Sequence, residues 1–315
     1  MKKRNAFFKS DVFLNPKSVA VIGASERPGS WGSFIMKGLL SANFSGHIYP
    51  VNSRAGKVFG IHAFKDITEI NSPIDLAVCA IPEKFVKETI EACGQKGVKG
   101  ITVITAGFAE SSDQGRQQQA SLAGLARSLG IRIIGPNVSG TFNLHAGFNA
   151  SSIPADNLMA TPIAAACQGG YAFYDILSSG WAKGLGVGKF IHTGNESDLT
   201  VTDFLQAFGK DPEVKAIVMY IEALRDGKRF MEIAGQVTRT KPVVIYKAGR
   251  TVDSARAAHS HTGALAGQGQ VYTGLLRQVG AVVSPAMELL LPIGHALIER
   301  PPMRGRRVAI ITVGG

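Results

Sequence analysis

The chain has 315 residues, 45% of them hydrophobic, and its 34 Lys plus Arg against 23 Asp plus Glu give a formal charge of +11. That length exceeds what one hydrophobic core usually supports, so two domains and the start of a third are expected. No apolar run is long enough to cross a bilayer and no signal-peptide region follows Met1, which predicts a cytoplasmic protein with no membrane partner; the basic residues are scattered without interleaved aromatics, which argues against nucleic acid, and a polyphosphate-bearing ligand is enough to explain the charge.

After an arm over 1–16, residues 17–149 alternate short β-branched runs with helical periods, the pattern of a parallel sheet covered by helices. Strands are expected at 18–22, 47–51, 76–80, 100–105 and 132–134, with helices between them. The clearest helix covers 83–93, where Phe85, Val86, Ile90 and Cys93 share a face and Gly94 is a stop signal. This is a doubly wound α/β domain. Residues 150–161 lack periodicity and read as a linker.

A second α/β series fills 162–299, with strands expected at 163–167, 189–192, 216–221 and 242–246 and helices at 171–181, 202–208, 227–238, 270–279 and 287–298. Its strand count is flavodoxin-like. Residues 307–313 are expected to form one more buried strand, opening a third domain over 300–315. A lone strand leaves its ladder groups unpaired, so this segment is expected to be either truncated or completed by another polypeptide, and the chain to act as an oligomer. Cys79, Cys93 and Cys167 are odd in number and widely spaced in apolar or helical patterns, which suits reduced, buried thiols; no metal site is expected.

The loop after the first strand carries Gly23, Ser25, Arg27, Gly29 and Gly32 just before a helix, the place for a phosphate cradle. Its spacing is longer than the dinucleotide fingerprint. The second strand ends in Asn52, Ser53 and Arg54 where an NAD site would place a carboxylate. A ligand with an extra phosphate fits better than NAD, and NADP stays open as a competitor; tight turns also use glycine for steric reasons alone. Ala80-Ile81-Pro82, Thr105-Ala106-Gly107-Phe108 and Gly135-Pro136-Asn137 close the other strands, and ligands of open α/β sheets gather at such ends.

Residues 258–267 are nearly all small around His259 and His261 and precede a helix, so backbone amides can crowd an anion carried on the His261 ring. A phosphorylated histidine and a Gly/Ala-rich turn with a hydrogen-bonded histidine both fit that run.

Ser18-Val19-Ala20-Val21-Ile22-Gly23-Ala24-Ser25, Ile48-Tyr49-Pro50-Val51-Asn52, Thr105-Ala106-Gly107-Phe108-Ala109-Glu110, Gly135-Pro136-Asn137 and, most specifically, Ser260-His261-Thr262-Gly263-Ala264-Leu265-Ala266-Gly267 together resemble the α-subunit or N-terminal half of the NDP-forming acyl-CoA synthetases, relatives of succinyl-CoA synthetase. The resemblance runs from about Asn15 to Glu299. It implies a Rossmann-like CoA-binding domain followed by a flavodoxin-like CoA-ligase domain. It implies that acyl-CoA and phosphate give acyl phosphate and CoA, that His261 takes the phosphoryl group, and that the phosphoryl group passes to ADP.

On this resemblance Glu222 orients the imidazole. Gln168, Gly169, Gly170 and Gly263 form the phosphate cradle. The CoA-binding set is Gly23, Ser25, Arg27, Gly29, Gly32, Asn52, Arg54, Ile81, Pro82, Ala106, Gly107, Glu110 and Asn137. The family commonly reads Ser-Gln-Ser-Gly at the cradle, where this chain has Cys167-Gln168-Gly169-Gly170, so the serine hydroxyls are missing. Val138 stands where many relatives have cysteine. His192 and His259 receive no catalytic role. No ATP-grasp module or Walker motif occurs within the 315 residues, so ADP/ATP and Mg²⁺ are expected only through an ATP-grasp β-type subunit or domain. The alternatives are a non-catalytic CoA-binding protein or fragment and an NADP-binding oxidoreductase.

Overall fold

Ser18–Ile22 (β1) is buried at all five positions, which is why it reads as an unbroken apolar run rather than an alternating one. In the computed structural model, which describes residues 11–154, 156, 158–249, 269–300, 305, 307 and 309–313, it lies inside a five-stranded parallel sheet. A short helix, Asp11–Leu14 (α1), precedes it. Trp31–Ser41 (α2) follows, then His47–Val51 (β2) and a small antiparallel hairpin, Lys57–Val58 (β3) and Ile61–His62 (β4). Leu76–Cys79 (β5), Val86–Lys96 (α3), Gly100–Val103 (β6), Asp113–Ser128 (α4) and Arg132–Ile134 (β7) complete this unit, with strand order β2-β1-β5-β6-β7.

Two strands that the sequence pattern did not flag come next, Gly140–Asn143 (β8) and Phe148–Ser151 (β9). They form an antiparallel hairpin that joins the second sheet through β8, so the second layer begins before residue 150 and the strand-free connection starts only after Ser151. The hairpin is buried although half of it is polar. Asn149 and Ser151 satisfy each other, Asn149 also donating to the Ile153 carbonyl at 2.9 Å, and Asn143 donates to Asn15 at 2.7 Å.

The remaining elements are Ile163–Cys167 (β10), Gly170–Trp181 (α5), Lys189–His192 (β11), Val201–Lys210 (α6), Ala216–Ile221 (β12), Gly227–Val237 (α7), Val243–Lys247 (β13), Gly269–Gln278 (α8), Val282–Val283 (β14) and Leu290–Glu299 (α9). The second sheet has the order β14-β13-β12-β10-β11-β8-β9, parallel except for its final hairpin. The expected buried strand over 307–313 is not found. Residues 307 and 309–313 lie outside any strand, and Ile310 and Ile311 are 85% and 98% exposed.

The two sheets share a core. Val19, Ile35, Leu39, Phe148, Ala164 and Phe204 belong to one continuous buried cluster. A polar seam adds to this: Ser197 and Leu199 donate to the carbonyls of Gly135 and Ile133 at 2.9 and 3.1 Å, and Arg132 grips Asp198 with two hydrogen bonds of 2.7 and 3.2 Å. Burying apolar area fixes the two units against each other, while the seam sets their register. Among the described residues no helix is long and apolar enough to cross a membrane.

Candidate functional site

The C-terminal ends of β1, β5 and β6 in the first sheet and of β10, β11 and β12 in the second open onto one cleft of about 1400 Å³. Open α/β sheets place ligands at such ends, and here two sheets present theirs to the same space.

Along the first wall, Gly23 and Gly32 are required by packing. A Cβ on Gly23, whose φ is +88°, would sit 2.4 Å from the Ala80 carbonyl oxygen, and one on Gly32 would sit 1.9 Å from that of Gly23. Helix α2 is thereby drawn onto the loop, and Ser30 caps it by accepting from the Ser33 amide at 3.3 Å. Ser25 turns its hydroxyl to the Arg27 amide at 3.0 Å, holding Arg27 at the cleft edge. Asn52 is a brace: its amide donates to the Ala24 carbonyl at 2.8 Å, and its oxygen accepts from Arg54 and Ala55.

Glu110 sits where the walls meet. It accepts from the amides of Gly107 (2.5 Å) and Phe108 (3.2 Å) and from the side chain of Asn195, which also donates to Gln119 at 2.9 Å. Partial burial pushes its carboxyl up, but the Asn195 amide and the backbone donors outweigh that and hold it below the usual carboxylate range.

On the second wall, helix α5 starts at Gly170 with Gly169 as its N-cap, without a side-chain cap or an acidic residue in its first turn. Its positive end faces the cleft, with the Glu222 carboxylate beside it. Both glycines are sterically required: a Cβ on Gly169 would lie 2.8 Å from Tyr220 and 3.0 Å from the Glu222 carboxylate, and one on Gly170 would lie 2.8 Å from the His192 ring. His192 is pinned, its Nδ1 accepting from the Ser139 amide at 2.7 Å and its Nε2 donating to the Gln168 carbonyl at 2.8 Å. Burial lowers its pKa to about 4, with the Gln168 carbonyl opposing, so the ring is neutral near pH 7. It is a spacer behind the helix end.

The Gln168 side chain turns away from the helix end to hold the tip of β12. Its oxygen accepts from the amides of Glu222 (2.6 Å) and Ala223 (2.9 Å), and its nitrogen donates to the Ala223 carbonyl at 2.7 Å. Nearby, Glu196 is 3% exposed, and burial raises its pKa to about 7 against hydrogen bonds from the Val201 amide, Gln168 and Thr193 and the charge of Arg225. Cys79, Cys93 and Cys167 are free and buried, and desolvation raises all three thiols, so none is a ready nucleophile.

Of the candidates named from sequence, Gly23, Ser25, Arg27, Gly29, Gly32, Ile81, Pro82, Ala106, Glu110 and Asn137 line the cleft from one side and Gln168, Gly169, Gly170 and Glu222 from the other. Asn52, Arg54 and Gly107 do not line it; Arg54 is exposed, and Gly107 supports Glu110. His259, His261 and Gly263 lie outside the described residues. Sequence reasoning missed Asn195, Glu196 and Arg225, although all three sit in turns after strands, where the strand-end rule would have flagged them.

Comparison with known proteins agrees with this geometry. A family model described as a CoA binding domain matches residues 17–142, and one described as a succinyl-CoA ligase like flavodoxin domain matches 160–297. The α subunit of acetate–CoA ligase [ADP-forming] I from Pyrococcus furiosus is 39% identical over 311 residues, covering 97% of this chain and 67% of the relative. This chain belongs to the NDP-forming acyl-CoA synthetase family. The α subunit of the Pyrococcus furiosus isoenzyme II is 40% identical over 305 residues, covering 97% of this chain and 66% of the relative. The solved structure of the dinucleotide-forming acetyl-coenzyme A synthetase 1 of Ca. Korarchaeum cryptofilum, in complex with phosphate and ADP, superposes with a TM-score of 0.89 at 34% identity, over 94% of this chain and 63% of that one. The chain thus spans about two thirds of these synthetase relatives, and 42% of the 36% identical acetate–CoA ligase of Methanocaldococcus jannaschii.

Proposed function

We propose that the chain is the α-type portion of an NDP-forming acyl-CoA synthetase, interconverting acyl-CoA, phosphate and ADP with carboxylic acid, CoA and ATP. The observation that carries this reading is that a single cleft holds both the glycine loop of the first unit and the uncapped start of α5 in the second. A cleft of that size has room for a CoA arm, and Arg27, Arg116 and Arg225 at its lining supply cations for phosphates.

Phosphate held at the α5 terminus attacks the thioester carbonyl: a C–O bond forms, the C–S bond breaks, and CoA leaves as the thiol after taking a proton. His261 then attacks phosphorus through one ring nitrogen while the bond to the acyl oxygen breaks and the carboxylate departs. Glu222 accepts the hydrogen bond of the other ring N–H and stabilises the imidazolium that develops. The amides at Gly169 and Gly170 stabilise the transferring group without supplying a proton. An ATP-grasp β-type partner provides ADP and Mg²⁺, so the working form is an oligomer, acting in the cytoplasm.

The test combines the chain with such a partner, acyl-CoA, phosphate, ADP and Mg²⁺. ATP and free CoA should appear only when both chains are present. Thermal stabilisation by CoA and not by NADP is expected as well, since a ligand of the folded state raises its melting temperature; a response to NADP alone, or no ATP with both chains, would overturn the reading.

A further inference from the structure

Asn195 lies in the turn after β11 and lines the cleft. That turn is pressed onto the one after β7: a Cβ on Gly194, whose φ is +54°, would sit 2.4 Å from the carbonyl oxygens of Pro136 and Asn137, and Glu196 takes a φ of +55° that a side chain rarely adopts. The contortion gives Asn195 five hydrogen bonds to other parts of the chain. Its backbone N–H donates to the Pro136 carbonyl at 3.0 Å, and its carbonyl accepts from the Arg225 guanidinium at 2.6 Å. Its side-chain nitrogen donates to the Glu110 carboxylate and, at 2.9 Å, to Gln119 on α4, while its side-chain oxygen accepts from Asn137 at 3.4 Å.

The backbone part of this set belongs to the seam that joins the two units, in which Asn195, Ser197 and Leu199 donate in turn to the carbonyls of Pro136, Gly135 and Ile133. The side-chain part reaches past the seam to the first wall. There Glu110 stands in the turn after β6, and Arg225, held by the Asn195 carbonyl, stands in the turn after β12 three residues beyond Glu222. Partial burial works against the charge of Glu110, and the Asn195 amide leads the donors that keep it ionised. One residue thus grips a carboxylate of the first wall and a guanidinium of the second, and all three line the cleft.

We propose that Asn195 is a positioning residue for attack of phosphate on the thioester: its side chain clamps Glu110 of the first wall to the turn that carries Arg225 of the second, and so sets the distance between the thioester carbonyl and the phosphate at the α5 terminus. The inference rests on the acyl-CoA synthetase reading above. Attack needs the reacting atoms about 3–3.5 Å apart, and a displacement of about 1 Å can cost roughly a hundredfold in rate. Loss of the clamp therefore slows the chemical step while each substrate still binds on its own wall.

The experiment measures single-turnover release of CoA from acyl-CoA and phosphate for the wild type, Asn195→Ala, Asn195→Asp and the double variant Asn195→Asp with Glu110→Gln. Asn195→Ala keeps the backbone seam, so thermal stabilisation by CoA should persist and the half-saturating concentrations of acyl-CoA and phosphate should stay within about twofold, while the limiting rate falls by about tenfold to a hundredfold. Asn195→Asp sets two carboxylates against each other and should be slower still. Adding Glu110→Gln restores a donor and an acceptor with their roles exchanged, and should recover most of the loss caused by Asn195→Asp, which a general loosening of the fold would not allow. An unchanged limiting rate for Asn195→Ala, a loss carried wholly by weaker half-saturation, or a double variant as slow as Asn195→Asp alone would overturn the inference. A wild type that releases no CoA would sink the synthetase reading, and this inference with it.

Discussion

The side-chain oxygen of Gln168 accepts the backbone N–H groups of Glu222 and Ala223 at 2.6 and 2.9 Å, so one residue after β10 sets the direction in which the chain leaves β12. Gln168→Ala strands both amides and the Ala223 carbonyl. Unsatisfied groups of this kind cost about 1–3 kcal/mol each when water cannot reach them. Chemical denaturation should show a loss on the order of 2 kcal/mol. Phosphoryl labelling should fall at least about tenfold because Glu222 loses its aim, while the affinity for CoA changes little.

Gly170→Ala tests the tightness of the helix end. The added Cβ would meet a His192 ring held through both nitrogens, which leaves it no easy retreat. A destabilisation of about 1–3 kcal/mol is expected from overpacking, read by thermal or chemical denaturation. Gly235→Ala is the control. It lies within α7 with nothing within 4 Å of its Cβ, and alanine there should stabilise by about 0.5–1 kcal/mol.

Glu196 and His192 give opposite pH dependences. Glu196 holds its proton more tightly in the folded chain, with a pKa of about 7 against an ordinary 4.5, so the folded state binds more protons across that window and stability falls as pH rises through it. His192, lowered from 6.5 to about 4, reverses the sign: the unfolded chain binds more protons there and stability rises with pH. The two slopes largely offset in the wild type. Glu196→Gln should therefore gain stability over the wild type on going from about pH 5 to about pH 8, by at most about 3 kcal/mol, and His192→Gln should lose less than the wild type as pH falls from about 7 to about 4. Denaturant titrations at each pH check both.

The parallel strands were legible because burial on both faces leaves an apolar run: β1 and β10 are buried at every position. The β8–β9 hairpin escaped notice for the opposite reason. Thr141, Asn143, Asn149 and Ser151 look like loop residues and are buried only because tertiary partners satisfy them. The site divided in the same way. Gly23, Gly32, Gly169 and Gly170 were visible as punctuation at strand ends, whereas the grip of Gln168 on β12 and the link of Glu110 to Asn195 join residues 54 and 85 positions apart and leave no local pattern. Asn52 was visible as the end of a strand, but its bracing of the glycine loop and of its own turn was not.

The most direct test is acid-quenched and base-quenched labelling of the purified chain with acyl-CoA and radioactive phosphate, comparing the wild type with His261→Ala and Glu222→Gln. The account predicts an acid-labile, base-stable label on the wild type, none on His261→Ala, and labelling slowed by about tenfold or more on Glu222→Gln. Equal labelling of the wild type and His261→Ala would contradict it.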